Sequence, residues 1–189
     1  IATNQNTPAS ALSYLAKKAI LHNNKNVKIA IAKNKNASPE ILYDLWLCND
    51  ESIDYELALN PNTIKDVVNS IIENYNDYDD LYFFSRYTTN KHALIYLAKN
   101  SNYDRIKLNV IKKKTCPVEA LQILSKDNDV NIRFNVLISD NVTKEIVESM
   151  LNDENIRISN TAQQILEDKF KNSNIKESLI KQYIQLMMS

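Results

Sequence analysis

Apolar positions along this 189-residue chain fall into two alternating kinds of stretch. The first is spaced i, i+3, i+4. It appears as Ala11, Leu12, Leu15, Ala16 and Ala19, again as Ile41, Leu42, Leu45 and Trp46, and later as Ala120, Leu121, Ile123 and Leu124. That spacing gathers apolar side chains on one stripe of a helix. The second kind is shorter and covers positions 27–32, 53–59, 106–111, 132–138 and 156–166. Its opening is an apolar residue followed by a charged one, as in Val27-Lys28, Ile53-Asp54, Ile106-Lys107, Ile132-Arg133 and Ile156-Arg157. Alternation over six positions also suits a strand, but the helical spacing next to each stretch favours a second helix.

The two kinds recur as a pair. The openers of the first kind are Thr7-Pro8, Ser38-Pro39, Thr63-Ile64, Asn90-Lys91, Cys116-Pro117 and Thr143-Lys144, at intervals of 31, 25, 27, 26 and 27 residues. A capping-type residue followed by proline starts a helix where the missing N–H costs nothing. Glu40 and Glu119 then place negative charge in a first turn, which the helix dipole favours. One helical pair cannot bury its apolar face alone, so a period of this length predicts stacked helical pairs. The expectation is an all-α, right-handed curved solenoid of about six repeats in one domain spanning 1–189. A capping helix is expected over about 175–188, with Leu179, Ile180, Tyr183, Ile184 and Met187 near one side.

The third repeat breaks the pattern. Between Tyr75 and Tyr87 it interleaves Tyr75, Tyr78, Tyr82, Phe83, Phe84 and Tyr87 with Asp77, Asp79 and Asp80. The phenylalanines suit the core of an enlarged repeat. The tyrosines tolerate partial exposure because the hydroxyl stays hydrated, so Tyr75, Tyr78 and Tyr82 are candidates for contact with a partner. The aspartates lack the Asp-x-Asp-x-Asp-Gly order of a calcium loop and read as a solvated turn.

Three strings carry a family resemblance: VKIAIAKNKNASPEILYDL (27–45), YELALNPNTIKDVV (55–68) and DVNIRFNVLISDNVTKEIV (129–147). Each resembles a leucine-rich repeat variant unit, a HEAT-like helical repeat. That pattern is an acidic turn, Val-Arg, a short apolar helix, Asn-Pro-x-Thr-Pro and a Leu-rich helix. Asn60-Pro61-Asn62-Thr63 is the nearest match to its turn. The resemblance implies a right-handed superhelix of longer and shorter helices and no single activity. The iron–sulphur domain of some relatives needs cysteines that this chain lacks.

Composition narrows the function classes. Lys plus Arg equals Asp plus Glu at 23 each, so the basic excess that neutralises a phosphate backbone is missing. Glycine is absent, which excludes Rossmann turns and phosphate-cradling loops. Helix ends must then use asparagine in the left-handed region, and Asn34, Asn60, Asn100 and Asn141 at the junctions are expected to do so. Cys48 and Cys116 are too few for a disulfide framework or a four-ligand metal cluster. His22 and His92 lie in no HExxH or Cys/His pattern and read as surface residues, while Trp46 reads as core. No stretch approaches the roughly 18 apolar residues of a membrane span, so a reducing, cytoplasmic setting is expected. Because the sequence starts at Ile1 and neither end looks clearly polar, a fragment of a longer repeat array is a further reading.

No nucleophile–base–oxyanion set can be assembled from these residues. The expected function is that of a non-catalytic, monomeric scaffold without cofactor or metal, holding a protein or peptide on its concave side. Lys28, Lys107, Arg133 and Arg157, at matching second-helix starts, form either a ligand-facing column or a ladder paired with Asp50, Asp104, Asp129 and Asp153. The alternative is a nucleic-acid binder resembling HEAT-like DNA glycosylases, which balanced charge argues against.

Overall fold

The computed structural model describes residues 1–171 and is helical, with no strand among them. The strand alternative for the short stretches is therefore overturned. The expected helix at about 175–188 lies outside the described residues. The α-helices are α1 Ala9–Leu21, α2 Lys25–Ala32, α3 Pro39–Trp46, α4 Asp54–Leu59, α5 Lys65–Asn74, α6 Tyr78–Tyr87, α7 Lys91–Asn100, α8 Asp104–Ile111, α9 Val118–Leu124, α10 Val130–Leu137, α11 Lys144–Ser149 and α12 Ile156–Ile165. A 3-10 turn, Glu51–Ile53, leads into α4, and a π-helical turn, Leu166–Lys171, follows α12.

The chain divides into two compact units, Ile1–Ala120 and the part from Leu121 onward. In the first unit α2, α4, α6 and α8 form one row in which each helix touches the next. Contacts of α1 with α3, and of α5 with α7, lie behind that row. The apolar stripes meet between them: Leu12, Leu42, Leu45, Val67, Val68, Ile72, Leu94, Leu57, Phe84, Ile106 and Val110 are fully buried. In the second unit α10 and α11 both pack on α12, around Ile132, Val136, Val147, Ile158 and Ala162.

Asparagine does two different jobs, and the positions differ from the expectation. The left-handed region is occupied by Asn23 and Asn49 (φ 48° and 49°). At the end of α1, Asn24 N–H returns to Ala19 O at 2.8 Å and Asn23 N–H to Ile20 O at 3.1 Å, so a glycine-type C-cap is built without glycine. Asn34 and Asn60 are buried struts instead. The Asn34 amide donates to Ala2 O and Asn4 O at 2.8 and 3.0 Å. The Asn60 amide repeats this one helix pair later, donating to Ala32 O and Asn34 O at 2.6 and 3.0 Å. Asn90 continues the series with Asn60 O and Thr63 O at 2.6 and 2.9 Å. A parallel, more exposed line runs through Asn36, which reaches Gln5 O at 2.6 Å, and Asn62, which reaches Lys35 O and Ala37 O at 2.7 and 2.9 Å. An uncharged amide with two donors is the group that can serve two main-chain carbonyls at once. Asn100 instead donates to Tyr96 O within its own helix.

The openers also divide. Ser38, Asn90 and Thr143 cap their helices through side-chain oxygens, as expected. Thr7 and Thr63 do not. Helix α1 is preceded by Pro8 and α5 by Ile64, neither with a side-chain cap. Thr7 Oγ1 turns inward and donates to Ile1 O at 2.7 Å, and the buried Thr63 Oγ1 has no hydrogen-bond partner. These threonines end the preceding turn rather than start the helix.

Candidate functional site

The irregular third pair forms an aromatic face on the first unit. Helix α6 is capped by Asp77, whose carboxylate accepts from Asp80 N–H at 2.9 Å, and it lies between α4 and α8 in the row. Its inner side buries Leu81, Phe84 and Ser85. Its outer side holds Tyr78 and Tyr82, four residues apart and therefore stacked, with ring centres 5.8 Å apart and planes within 15°. Tyr103, at the start of α8, meets Tyr78 edge-on at 5.0 Å. Arg105 lays its guanidinium over the Tyr82 ring at 4.7 Å. Tyr87 at the end of α6 is 57 % exposed and Tyr103 43 %. Phe84 is core, as its residue type suggested, but Phe83 is only half-buried and packs on Tyr87 at 4.9 Å.

The second half of the cluster is held by carboxylates. Tyr55 on α4 sits among Tyr75, Phe83 and Phe84 at 5.1, 5.2 and 5.2 Å, and its hydroxyl donates to Asp80. That hydrogen bond, with burial, pushes the Tyr55 phenol up to about 12. Tyr75 donates to Asp54 at 3.4 Å. Burial raises the Asp54 carboxyl above its ordinary value despite this hydrogen bond. A hydrogen bond to Tyr82 holds the exposed Arg86 guanidinium above its usual value. A groove of about 180 Å³ opens beside this face, lined by Ile72, Leu81, Tyr96, Leu97 and Tyr103 among others. Tyrosines fixed by hydrogen bonds and stacking, with arginine planes over them, make a preordered surface that loses little side-chain freedom on contact.

The four cations separate by role. Lys28 is 3 % exposed and donates to Asn23 Oδ1 at 2.7 Å and Asp50 Oδ2 at 3.2 Å. The Ser52 hydroxyl and then Lys28 lower the Asp50 carboxyl. Arg133 is 5 % exposed and grips Asp153 with Nε and Nη2 at 2.8 and 2.9 Å, while Nη1 donates to Asp127 O and Asn128 O. Both side chains are spent on joining a helix start to the neighbouring turns. Lys107 is half-buried and engaged in an interaction of its own. Arg157 is exposed and stacks on Phe134 at 4.1 Å.

Other reactive residues stand apart. Burial pushes the Cys116 thiol up to about 11, and Cys48 donates to Asp44 O at 3.3 Å. His22 is exposed and His92 half-buried, where burial lowers its imidazole below the ordinary value. Trp46, expected in the core, is half-buried and meets Tyr43 at 5.7 Å. Among the described residues, no group of three His, Cys, Asp or Glu is placed to hold a metal ion. None of the described helices is long and apolar enough to cross a membrane.

No family model, curated protein or solved structure matches the chain. The likeness to leucine-rich repeat variants thus rests on the three strings quoted above. Tyr55, Tyr103 and Arg105 were absent from the candidates drawn from sequence. They lie 20 residues or more from Tyr75 or on the next helix pair, and only the packing of α4 and α8 on α6 brings them in.

Proposed function

We propose that the chain is a non-catalytic helical-repeat protein that holds another protein or a peptide on the aromatic face of α6 and α8. The observation that carries this reading is the set Tyr78, Tyr82, Tyr103 and Arg105, stacked on one another and open to solvent on one side. Tyrosine and arginine dominate the energetic centres of protein interfaces because they join large rigid area to a polar tip. Within the first unit, the recurring asparagine struts support the reading of successive helix pairs stacked on one another. Lys28 and Arg133 hold the helix pairs rather than the partner, so partner contact falls to the tyrosines, with Arg157 a separate exposed cation.

The test is affinity capture from the native cells with the unaltered chain and with Tyr82→Ala/Tyr103→Ala, followed by titration of the captured protein. The reading expects a partner whose affinity falls by roughly 10-fold or more in the double variant. Equal capture by both forms would remove the aromatic face. A salt-sensitive shift of single-stranded RNA, lost in the same variant, would favour base stacking on these rings instead.

A further inference from the structure

The groove of about 180 Å³ beside the tyrosine face joins an apolar lining to a negative surround. Ile72, Leu81 and Leu97 are buried beneath it, and Tyr96 and Tyr103 bring rings to it. No lining residue is charged. Two helices end there, α5 at Asn74 and α7 at Asn100, so that Ile72 and Asn76 line it from one helix end, Leu97 and Asn100 from the other. Tyr75 N–H returns to Ile71 O and Ser101 N–H to Leu97 O, both at 3.1 Å. Among the described residues, no main-chain N–H returns to the last three carbonyls of either helix. Two helix carboxyl ends, each the negative end of a dipole, therefore border one hollow.

Side-chain charge has the same sign. Residues 73–80 carry four acidic residues and no lysine or arginine. Asp77 caps α6 and Asp80 accepts from Tyr55, but Glu73 and Asp79 are exposed. Glu73 is close enough to act on the groove: burial first, and then this carboxylate, raises the Tyr96 phenol above its ordinary value. The cations closest along the chain, Lys99 and Arg105, are not part of the lining, and Arg105 already lies over Tyr82. An acidic ligand would meet repulsion here, and a wholly apolar one would strip water from the carbonyls without replacing it. A cation on an aliphatic stem suits both parts of the hollow. Guanidinium fits better than ammonium, because its plane lies on tyrosine rings and its five N–H groups can serve several carbonyls at once. We propose that this groove receives an arginine side chain of the partner, its stem on Ile72, Leu81 and Leu97 and its guanidinium at Glu73 and the carboxyl ends of α5 and α7, against Tyr96 and Tyr103. This anchor rests on the peptide-binding reading of the α6 and α8 face and specifies what the partner must present.

The test titrates the full chain with the peptide acetyl-Ala-Ser-Leu-Arg-Leu-Ser-Ala-amide, and with the same peptide carrying uncharged citrulline in place of arginine. NMR follows the side-chain amides of Asn76, Asn100 and Asn102, which line the groove. The arginine peptide should move these signals, and the citrulline peptide should bind roughly 10-fold more weakly. Glu73→Gln, at an exposed position whose exchange leaves folding intact, should weaken the arginine peptide about 3-fold and leave the citrulline peptide unchanged. No movement at about 1 mM peptide would overturn the proposal. So would equal affinity for the two peptides, or unchanged affinity for the arginine peptide in Glu73→Gln. Affinity capture separates this failure from failure of the peptide-binding reading. A native partner weakened both by Tyr82→Ala/Tyr103→Ala and by Glu73→Gln supports the anchor. A partner lost in the tyrosine variant but held at full strength by Glu73→Gln keeps the face and overturns the anchor, while equal capture by all forms overturns both.

Discussion

The Tyr75 hydroxyl donates to the Asp54 carboxylate at 3.4 Å, where the first helix pair has Lys28 donating to Asp50 at 3.2 Å. Asp54 follows Ile53 as Lys28 follows Val27, so the charge at this helix start is reversed. A phenol then replaces the carboxylate of the neighbouring turn as partner. The exchange turns an ion pair into a hydrogen bond and recruits an aromatic ring, from which the cluster around Tyr55 grows.

Asp54 therefore has an unusual pH dependence. Its carboxyl is raised by burial in the folded chain, so folding favours its protonated form. Its contribution is fully present below the ordinary carboxylate value and is lost as pH rises through the raised one. Asp54→Asn, which still accepts from Tyr75, should raise the melting temperature at neutral pH by about 2 °C and flatten the mildly acidic part of the profile. Thermal melts across that range decide it.

Asp153 behaves in the opposite sense. The Arg133 hydrogen bonds hold its carboxyl below the ordinary value, so its contribution is present above that value and lost as pH falls through the lowered one. Arg133→Met with Asp153 intact leaves a buried carboxylate unpaired and should cost on the order of 3 kcal/mol in urea denaturation at pH 7. In Arg133→Met/Asp153→Leu much of that loss should return. A double variant as unstable as the single one would contradict this account.

The struts predict a clean comparison between asparagines. Asn60→Ala removes donors from Ala32 O and Asn34 O and should destabilise by on the order of 2 kcal/mol. Asn100→Ala, which loses one exposed bond within its own helix, should change stability by less than about 0.5 kcal/mol. Equal losses in urea titrations would deny the struts any special part.

Tyr55 should ionise well above the ordinary tyrosine value, because its hydroxyl donates to Asp80 and is partly buried. Ultraviolet titration of the folded chain should show a step at about 12 that is missing in Tyr55→Phe. Persistence of that step in the variant would move the assignment elsewhere.

Much of the helix pattern was legible because apolar spacing and capping chemistry are local. Ser38, Asn90 and Thr143 cap where the sequence places them. Thr7 and Thr63 misled by one residue because a buried turn residue and a cap can share a side-chain type. Asn34 and Asn60 suit left-handed helix ends by residue type, yet their acceptors lie 26 to 32 residues away, and no window of a single helix carries that information. The tyrosines of the third pair stood out by density alone. Tyr55, Tyr103 and Arg105 did not, because each is ordinary within its own stretch and becomes part of the face through α4 and α8.

The struts also set how this chain would age. Deamidation of the Asn90 side chain, which precedes Lys91, to a carboxylate would turn its oxygens on Asn60 O and Thr63 O, exchanging two attractions for repulsions without altering a single helix. Slow deamidation would then loosen neighbouring pairs from each other while helical content stayed constant, a form of wear visible to hydrogen exchange at the junctions before it reached circular dichroism.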